Sequence, residues 1–444
     1  MMGTELRAVV TGRVLEPGDD AYDAARTVWN AMVDRRPRYV VQCTDAADVA
    51  ASVRFANEKG LDIGVRCGGH GIVGHAIADD GIVIDLRPMG AVRVDPLTRR
   101  ALVQGGAMLG ALDRASQEHG LATTAGNVSH TGVGGLTLGG GMGWLARQHG
   151  LACDNVVSFD VVTASGERVH ASADTHPDLF WALRGGGGNF GIVVEFEFAL
   201  HPEPGHAISA ELRYPVESAG APMRRWRDLS VSAPGPATFT ATIDGDTVSL
   251  GLVWVGDRGD ASGAISELER ELTEMAVPDM RVVEPMSYLQ LQTREDDFEA
   301  HAWRRYWKGH YFSELGDELI DTLLARDGPD LPNVSLQAYG GAIADVPDDA
   351  TAFARRDTAF EFVAASRWDD PAEDDSRIAA ARRYAGTMDR FANGAYVNVL
   401  GDDGQAGIRR AYPETMLARL TSIKDTYDPE NVFHLNQNIR PSAR

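Results

Sequence analysis

The sequence predicts an α+β fold in two units. Three observations lead there. At 444 residues the chain is too long for one ordinary hydrophobic core. Its 48 glycines exceed the usual ~7 % and are concentrated locally: residues 131–143 (TGVGGLTLGGGMG) hold seven and residues 185–191 (GGGGNFG) hold five. After Pro202 the texture changes: residues 201–405 have no glycine cluster and are richer in Arg, Asp and Trp.

Short strands and helices alternate in the first 200 residues. Arg38–Gln42 reads as a strand, and Asp45 with Asp48 reads as a capping box for a helix that buries Val49, Val53 and Ala56 and closes at Gly60. Ile63–Arg66 and Gly81–Leu86 are strands joined by a loop over Arg66–Asp80. Leu102–Gln104 is strand-like, Leu109–His119 helical, and Val156–Thr163 and Ile192–Leu200 are strands rich in β-branched and aromatic residues. Beyond Pro202, Ile265, Leu268, Leu272 and Met275 recur at helical spacing, and Phe239–Ile243 with Val248–Val255 reads as a hairpin. Near the end, Pro413 opens a helix with Met416, Leu420, Ile423 and Tyr427 on one face, stopped by Asp428-Pro429. Asn436 and Asn438 follow, where their amides either meet a ligand or close a turn.

Charge and cysteine content narrow the function. With 42 basic and 64 acidic residues the formal charge is −22, which repels nucleic-acid phosphate and anionic lipid. The run Asp369–Asp375 reads as a solvated face or loop. No signal-peptide pattern and no apolar stretch of membrane-spanning length is evident, so a cytoplasmic location is expected. Cys43, Cys67 and Cys153 are too few and too widely spaced for a disulfide framework or a zinc site, and no metal is expected.

Two segments match G-x-G-x-x-G, Gly69–Gly74 and Gly186–Gly191. The dinucleotide fingerprint needs strand, turn and helix in that order. The first match leads to another strand, and the second follows the helical segment Pro177–Arg184 and precedes a strand, so neither qualifies. The remaining reading is a glycine loop, Arg66-Cys67-Gly68-Gly69-His70-Gly71, that offers backbone N–H groups to an anion. On the residues alone it reads equally as a tight turn carrying a surface histidine.

Arg66–His70 resembles the R-x-G-G-H flavin-attachment loop of the berberine-bridge-enzyme-like group, within the vanillyl-alcohol oxidase (PCMH-type) superfamily. Gly150–Val156 resembles that group's second attachment segment, Leu183–Val193 its flavin-side loop, and Tyr427–Ile439 its C-terminal signature. These segments occur in the expected order over residues 38–200 and 395–440. The resemblance implies a PCMH-type FAD-binding domain over residues 1–200, with a core near 35–203, completed by a C-terminal segment over 406–444. Residues 201–405 would be a substrate domain whose antiparallel sheet, flanked by helices, roofs the flavin.

The resemblance also implies the site. FAD would be attached through His70 and through Cys153, with Arg66, Cys67, Gly68, Gly69 and Gly71 around the first anchor. Thr131, Gly134, Gly135, Leu138, Gly141, Gly143 and Trp144 would line the cofactor, together with Gly188, Ile192, Val193, Asn436 and Asn438. A neutral imidazole is the nucleophile for the flavin 8α carbon, and a thiolate can add at ring carbon 6. Catalysis would be hydride transfer from an alcohol, sugar hydroxyl or amine carbon of a small-molecule substrate, with molecular oxygen as the electron acceptor and hydrogen peroxide as the product. The group's Tyr-x-Asn-Tyr motif is here Tyr396-Val397-Asn398-Val399, without the final tyrosine. The base candidates are therefore Tyr339, Tyr396, His310 and Tyr306, and a phenol in that role needs cationic neighbours such as Arg305 or Lys308. Val156, three residues beyond Cys153, is expected to border the oxygen path. A flavin dehydrogenase and a flavin-loaded binding protein are the competing readings.

Overall fold

The structure is a computed structural model that describes residues 2–203, 205–296 and 302–442. Three sheets organise it. The first has the order Arg13–Leu15, Tyr39–Gln42, Ile82–Asp85, Ile63–Arg66, and its last three strands are parallel. Burial on both faces accounts for the continuous apolar strands of this sheet. Helix Ala46–Lys59 covers one side and buries Val49, Val53 and Ala56. Asp45 caps it through the N–H groups of Ala47 and Asp48, and Gly60 ends it at φ +64°. The capping box is half formed: the Asp48 carboxylate accepts instead from the N–H groups of Thr11, Gly12 and Thr44.

The second sheet is antiparallel, in the order Val92–Asp95, Arg100–Gln104, Ile192–Ala199, Val156–Val162, Arg168–Ser172. The third is a seven-stranded antiparallel sheet formed after Pro202. Its order is Met280–Ser287, His206–Pro215, Thr247–Val255, Ala237–Asp244, Asn333–Ala338, Phe360–Trp368, Arg304–Phe312. The hairpin expected around residues 244–247 is part of it. Helices Gly220–Val231, Arg258–Met275, Asp317–Leu324 and Asp374–Gly386 pack on this sheet. Leu268 and Leu272 are fully buried there, whereas Met275, the last residue of its helix, is 45 % exposed. Asp374, within the acidic run, is half-buried and bonds Trp368 Nε1, so that residue is structural.

The C-terminal helix Glu414–Tyr427 returns to the first half of the chain. Leu420 and Ile423 join the core of the second sheet, and Phe433 joins the core of the first. No helix among the described residues is long and apolar enough to cross a membrane.

Candidate active site

A cavity of about 440 Å³ opens where the glycine segments converge. Strand Ile63–Arg66 delivers one wall, Cys67 to Val73, and Gly69 turns the chain at φ +72°, a conformation that suits glycine. The short helix Val133–Leu138, the turn Gly187–Asn189 and strand Ile192–Ala199 supply a second wall. Val397–Leu400 and Leu435–Gln437 close it.

The residues that line the cavity fit a group such as FAD. Gly71, Gly135 and Gly188 line it, and a Cβ built on any of them meets no atom within 4 Å. Side chains there would take up open space. Asn436 also lines it, and its Oδ1 is buried without a hydrogen-bond partner among the described residues. An orphaned buried amide oxygen costs about 1–3 kcal/mol, which a ligand N–H or O–H would relieve.

His70 is held in one orientation. Its ring stacks on Trp29 at 4.8 Å between centroids and 17° between planes, and the Arg305 guanidinium lies 3.8 Å from the centre of the Trp29 ring on its face. His70 Nε2 is 2.8 Å from His130 Nδ1, and Thr131 Oγ1 is 3.3 Å from His70 Nδ1. Of the other expected cofactor contacts, Cys67, Gly68, Gly69, Thr131, Gly134, Leu138, Ile192 and Val193 also line the cavity.

Several expected residues lie elsewhere, each for a visible reason. Cys153 does not line the cavity. It is fully buried, its thiol faces the Asp154 carboxylate at 3.7 Å, and burial pushes its pKa well up, which opposes a thiolate. Val156 is buried in its strand and is not among the residues that line the cavity. Arg66 runs behind its loop and donates to the Ala25 carbonyl, where burial lowers its pKa to about 10. Gly141 is occupied by donating to Tyr396 Oη at 2.7 Å, and Gly143 packs against the Ala125 carbonyl. Trp144 belongs to an apolar cluster with Val253 and Met286, and Asn438 uses its carbonyl to accept from Gln405.

Among the base candidates, Tyr396 alone lines the cavity. Its hydroxyl accepts from Gly141 N–H at 2.7 Å and from Asn398 Nδ2 at 2.9 Å, while burial pushes its pKa up. Tyr339 is buried behind it and donates to Glu361 Oε2 at 2.6 Å. His310 is fully buried between the Ala385 carbonyl and Arg410, and burial lowers its pKa to about 4. Tyr306 donates to Asp402 Oδ1 at 3.0 Å, and burial raises its pKa to about 12. The expected cationic neighbours are engaged elsewhere: Lys308 pairs with Asp403, and Arg305 covers Trp29. Val399, in place of the group's tyrosine, does line the cavity, close against Gly309.

Sequence reasoning missed the Trp29 and His130 partners of His70, because neither is near it in sequence. It also missed Trp307 and His75 on the cavity wall. Lys424 was missed as well. It is fully buried and donates to the Asn189 carbonyl at 2.8 Å, to Asp428 Oδ2 at 2.6 Å and to the Phe433 carbonyl at 3.0 Å. It thereby ties the flavin-side turn to the C-terminal segment.

Comparison with known proteins agrees with this geometry. A model of the FAD binding domain matches residues 37–172, and one described as berberine and berberine like matches residues 395–440. An FAD-linked oxidoreductase of Bacillus subtilis (strain 168), uncharacterized itself, is 30 % identical over 448 residues, covering 98 % of this chain and 99 % of the relative. The (R)-6-hydroxynicotine oxidase of Paenarthrobacter nicotinovorans is 42 % identical over 195 residues, 44 % of this chain and 43 % of that protein. The crystal structure of 6-hydroxy-D-nicotine oxidase from Arthrobacter nicotinovorans superposes with a TM-score of 0.87 at 27 % identity, covering 98 % of both chains. Fold and site together define a flavoenzyme, an FAD-linked oxidoreductase of PCMH-type architecture. Within that class, the chain belongs to the berberine-bridge-enzyme-like family.

Proposed function

We propose that the protein is an oxidase that takes a hydride from an alcohol, sugar hydroxyl or amine carbon. FAD bound in the cavity supplies the hydride acceptor, and molecular oxygen then takes the electrons and leaves as hydrogen peroxide. Residues 1–200 and 406–444 hold the cofactor, and residues 201–405 hold the substrate while sending Trp307 and Tyr396–Leu400 into the cofactor cavity. Attachment is through His70, which lines the cavity, and the burial that raises the pKa of the Cys153 thiol disfavours a second bond there.

Val399 carries the choice of substrate. An alcohol must lose its O–H proton as the hydride departs, so it needs a base. A neutral amine pushes the hydride out with its own lone pair and needs none. The cavity presents valine where the group's base would be, and Tyr396 is held as a neutral phenol by burial. An amine substrate is therefore favoured over the alcohol and sugar readings, and the oxidase named as acting on 6-hydroxynicotine is a relative in keeping with it.

Anaerobic bleaching of the bound flavin tests this reading against a panel of amines, alcohols and sugars. Amines should bleach it, and readmitted air should yield peroxide equal to the substrate consumed. Bleaching by alcohols or sugars alone would overturn the amine assignment. Turnover with a dye but no peroxide would make the protein a dehydrogenase, and no bleaching by any compound a binding protein.

A further inference from the structure

His70 belongs to a three-residue chain that links the two halves of the molecule. His70 Nε2 is 2.8 Å from His130 Nδ1, and His130 Nε2 is 4.0 Å from Asp296 Oδ1. Asp296 comes from the region after Pro202, and its side chain is almost fully buried, at 3 % exposure. It is fixed by two further bonds, accepting from Ser129 N–H at 2.9 Å and from Ser129 Oγ at 2.6 Å. The residues that hold the carboxylate and the second imidazole are thus adjacent, Ser129 and His130, so the carboxylate is set beside the ring it faces.

One pair of tautomers suits proton transfer: with the hydrogen of His130 on Nε2, on the side of the Asp296 charge, its Nδ1 carries a lone pair and accepts from His70 Nε2–H. A neutral His70 then carries its own lone pair on Nδ1, next to the Thr131 hydroxyl. The stacked Trp29 holds that ring plane.

From this arrangement we infer that His130, backed by Asp296, is a positioning residue and proton acceptor for covalent attachment of FAD to His70. The inference rests on the His70 linkage proposed above. In the attachment reaction the His70 Nδ1–C8α bond forms and one C8α–H bond breaks. The new imidazolium loses its Nε2 proton to His130, whose positive charge Asp296 offsets. The two electrons reduce the flavin ring, which also receives the two protons released, and oxygen reoxidises it to give hydrogen peroxide. Asp296 arrives from the later half of the chain, so the acceptor is complete only when residues beyond Pro202 have docked against the first half.

The test uses the full chain made in a riboflavin-starved host and then supplied with FAD in air. Two quantities are followed from pH 6 to 9: total bound flavin, and flavin that stays with the protein after acid precipitation. His130→Ala and His130→Gln should bind total FAD as the parent does but attach it about 100-fold more slowly, the scale of a lost general base. Their attachment rates should climb with pH as solvent replaces the acceptor, whereas the parent profile is flat above neutrality. Asp296→Asn should be slowed less, and should keep the parental profile shape. Attachment at the parental rate and pH profile in both His130 variants overturns the relay. Should His130→Ala not fold, His130→Gln and Asp296→Asn carry the same comparison. A parent that holds FAD only reversibly at every pH overturns the linkage at His70, and the relay with it.

Discussion

Lys424 and Asp428 stand one helical turn apart with 2.6 Å between Nζ and Oδ2, and both side chains are wholly buried. The Asp428 carboxylate also accepts from the N–H groups of Val432 and Phe433, so the pair sets the path of the chain into the cavity wall. Removing one partner of a buried pair strands the other charge, at about 3–5 kcal/mol. Asp428→Asn should lower unfolding stability by that amount and reduce FAD content. Lys424→Met should cost less, because the carboxylate keeps its two backbone donors. Urea unfolding of the three proteins decides it, and equal stability of the parent and Asp428→Asn would refute the argument.

Filling the cavity should expel the cofactor without unfolding the protein. A Cβ at Gly135 meets no atom within 4 Å, and the residue borders the cavity. Gly135→Val should lose most bound FAD, while its apoprotein melts within a few degrees of the parent apoprotein, since valine in a helix differs little from glycine in propensity. Flavin absorbance per protein and thermal melting are the two measurements. Full FAD content in the variant would show that Gly135 does not face the cofactor.

The two candidate anchors should behave differently. His70→Ala should bind FAD that is released entirely by acid. Cys153→Ala should keep acid-stable flavin and an unchanged absorption spectrum, since burial raises the thiol pKa and disfavours the thiolate. A spectral change in Cys153→Ala would restore the second bond.

Burial raises the Glu361 carboxyl to about 7, and Tyr339 donates to it. A carboxyl whose folded pKa lies above its unfolded value of ~4.3 stabilises fully below that value and loses the contribution as pH rises through the folded pKa. Folding stability should therefore fall between pH 5 and pH 8, by on the order of 3 kcal/mol from this group. Glu361→Gln should flatten part of that slope, leaving the share of Asp113, which burial likewise raises to about 7. Denaturant melts at the two pH values test it; an unchanged slope in Glu361→Gln would count against the assignment.

Local patterns made much of the fold readable. The helix that buries Val49, Val53 and Ala56, the strands around the two glycine clusters and the final helix lie within a few residues of where periodicity and caps put them. His70 and its glycines were readable because one short loop carries them all. What stayed hidden depends on long-range packing. His130 and Trp29 approach His70 from distant loops, and Lys424 is buried because three carbonyl and carboxylate oxygens from separate segments surround it. Cys153 marks the same limit: a motif gives the order of residues but not the surroundings of a side chain, and this one is wholly buried.

Residues 435–437 share the cavity with residues 67–71. During synthesis the first wall emerges long before the last, and Lys424 must be in place to hold the two together. The growing chain therefore has no finished pocket to offer. Cofactor loading is consequently a late event, and a chain halted before its final helix should leave the ribosome colourless.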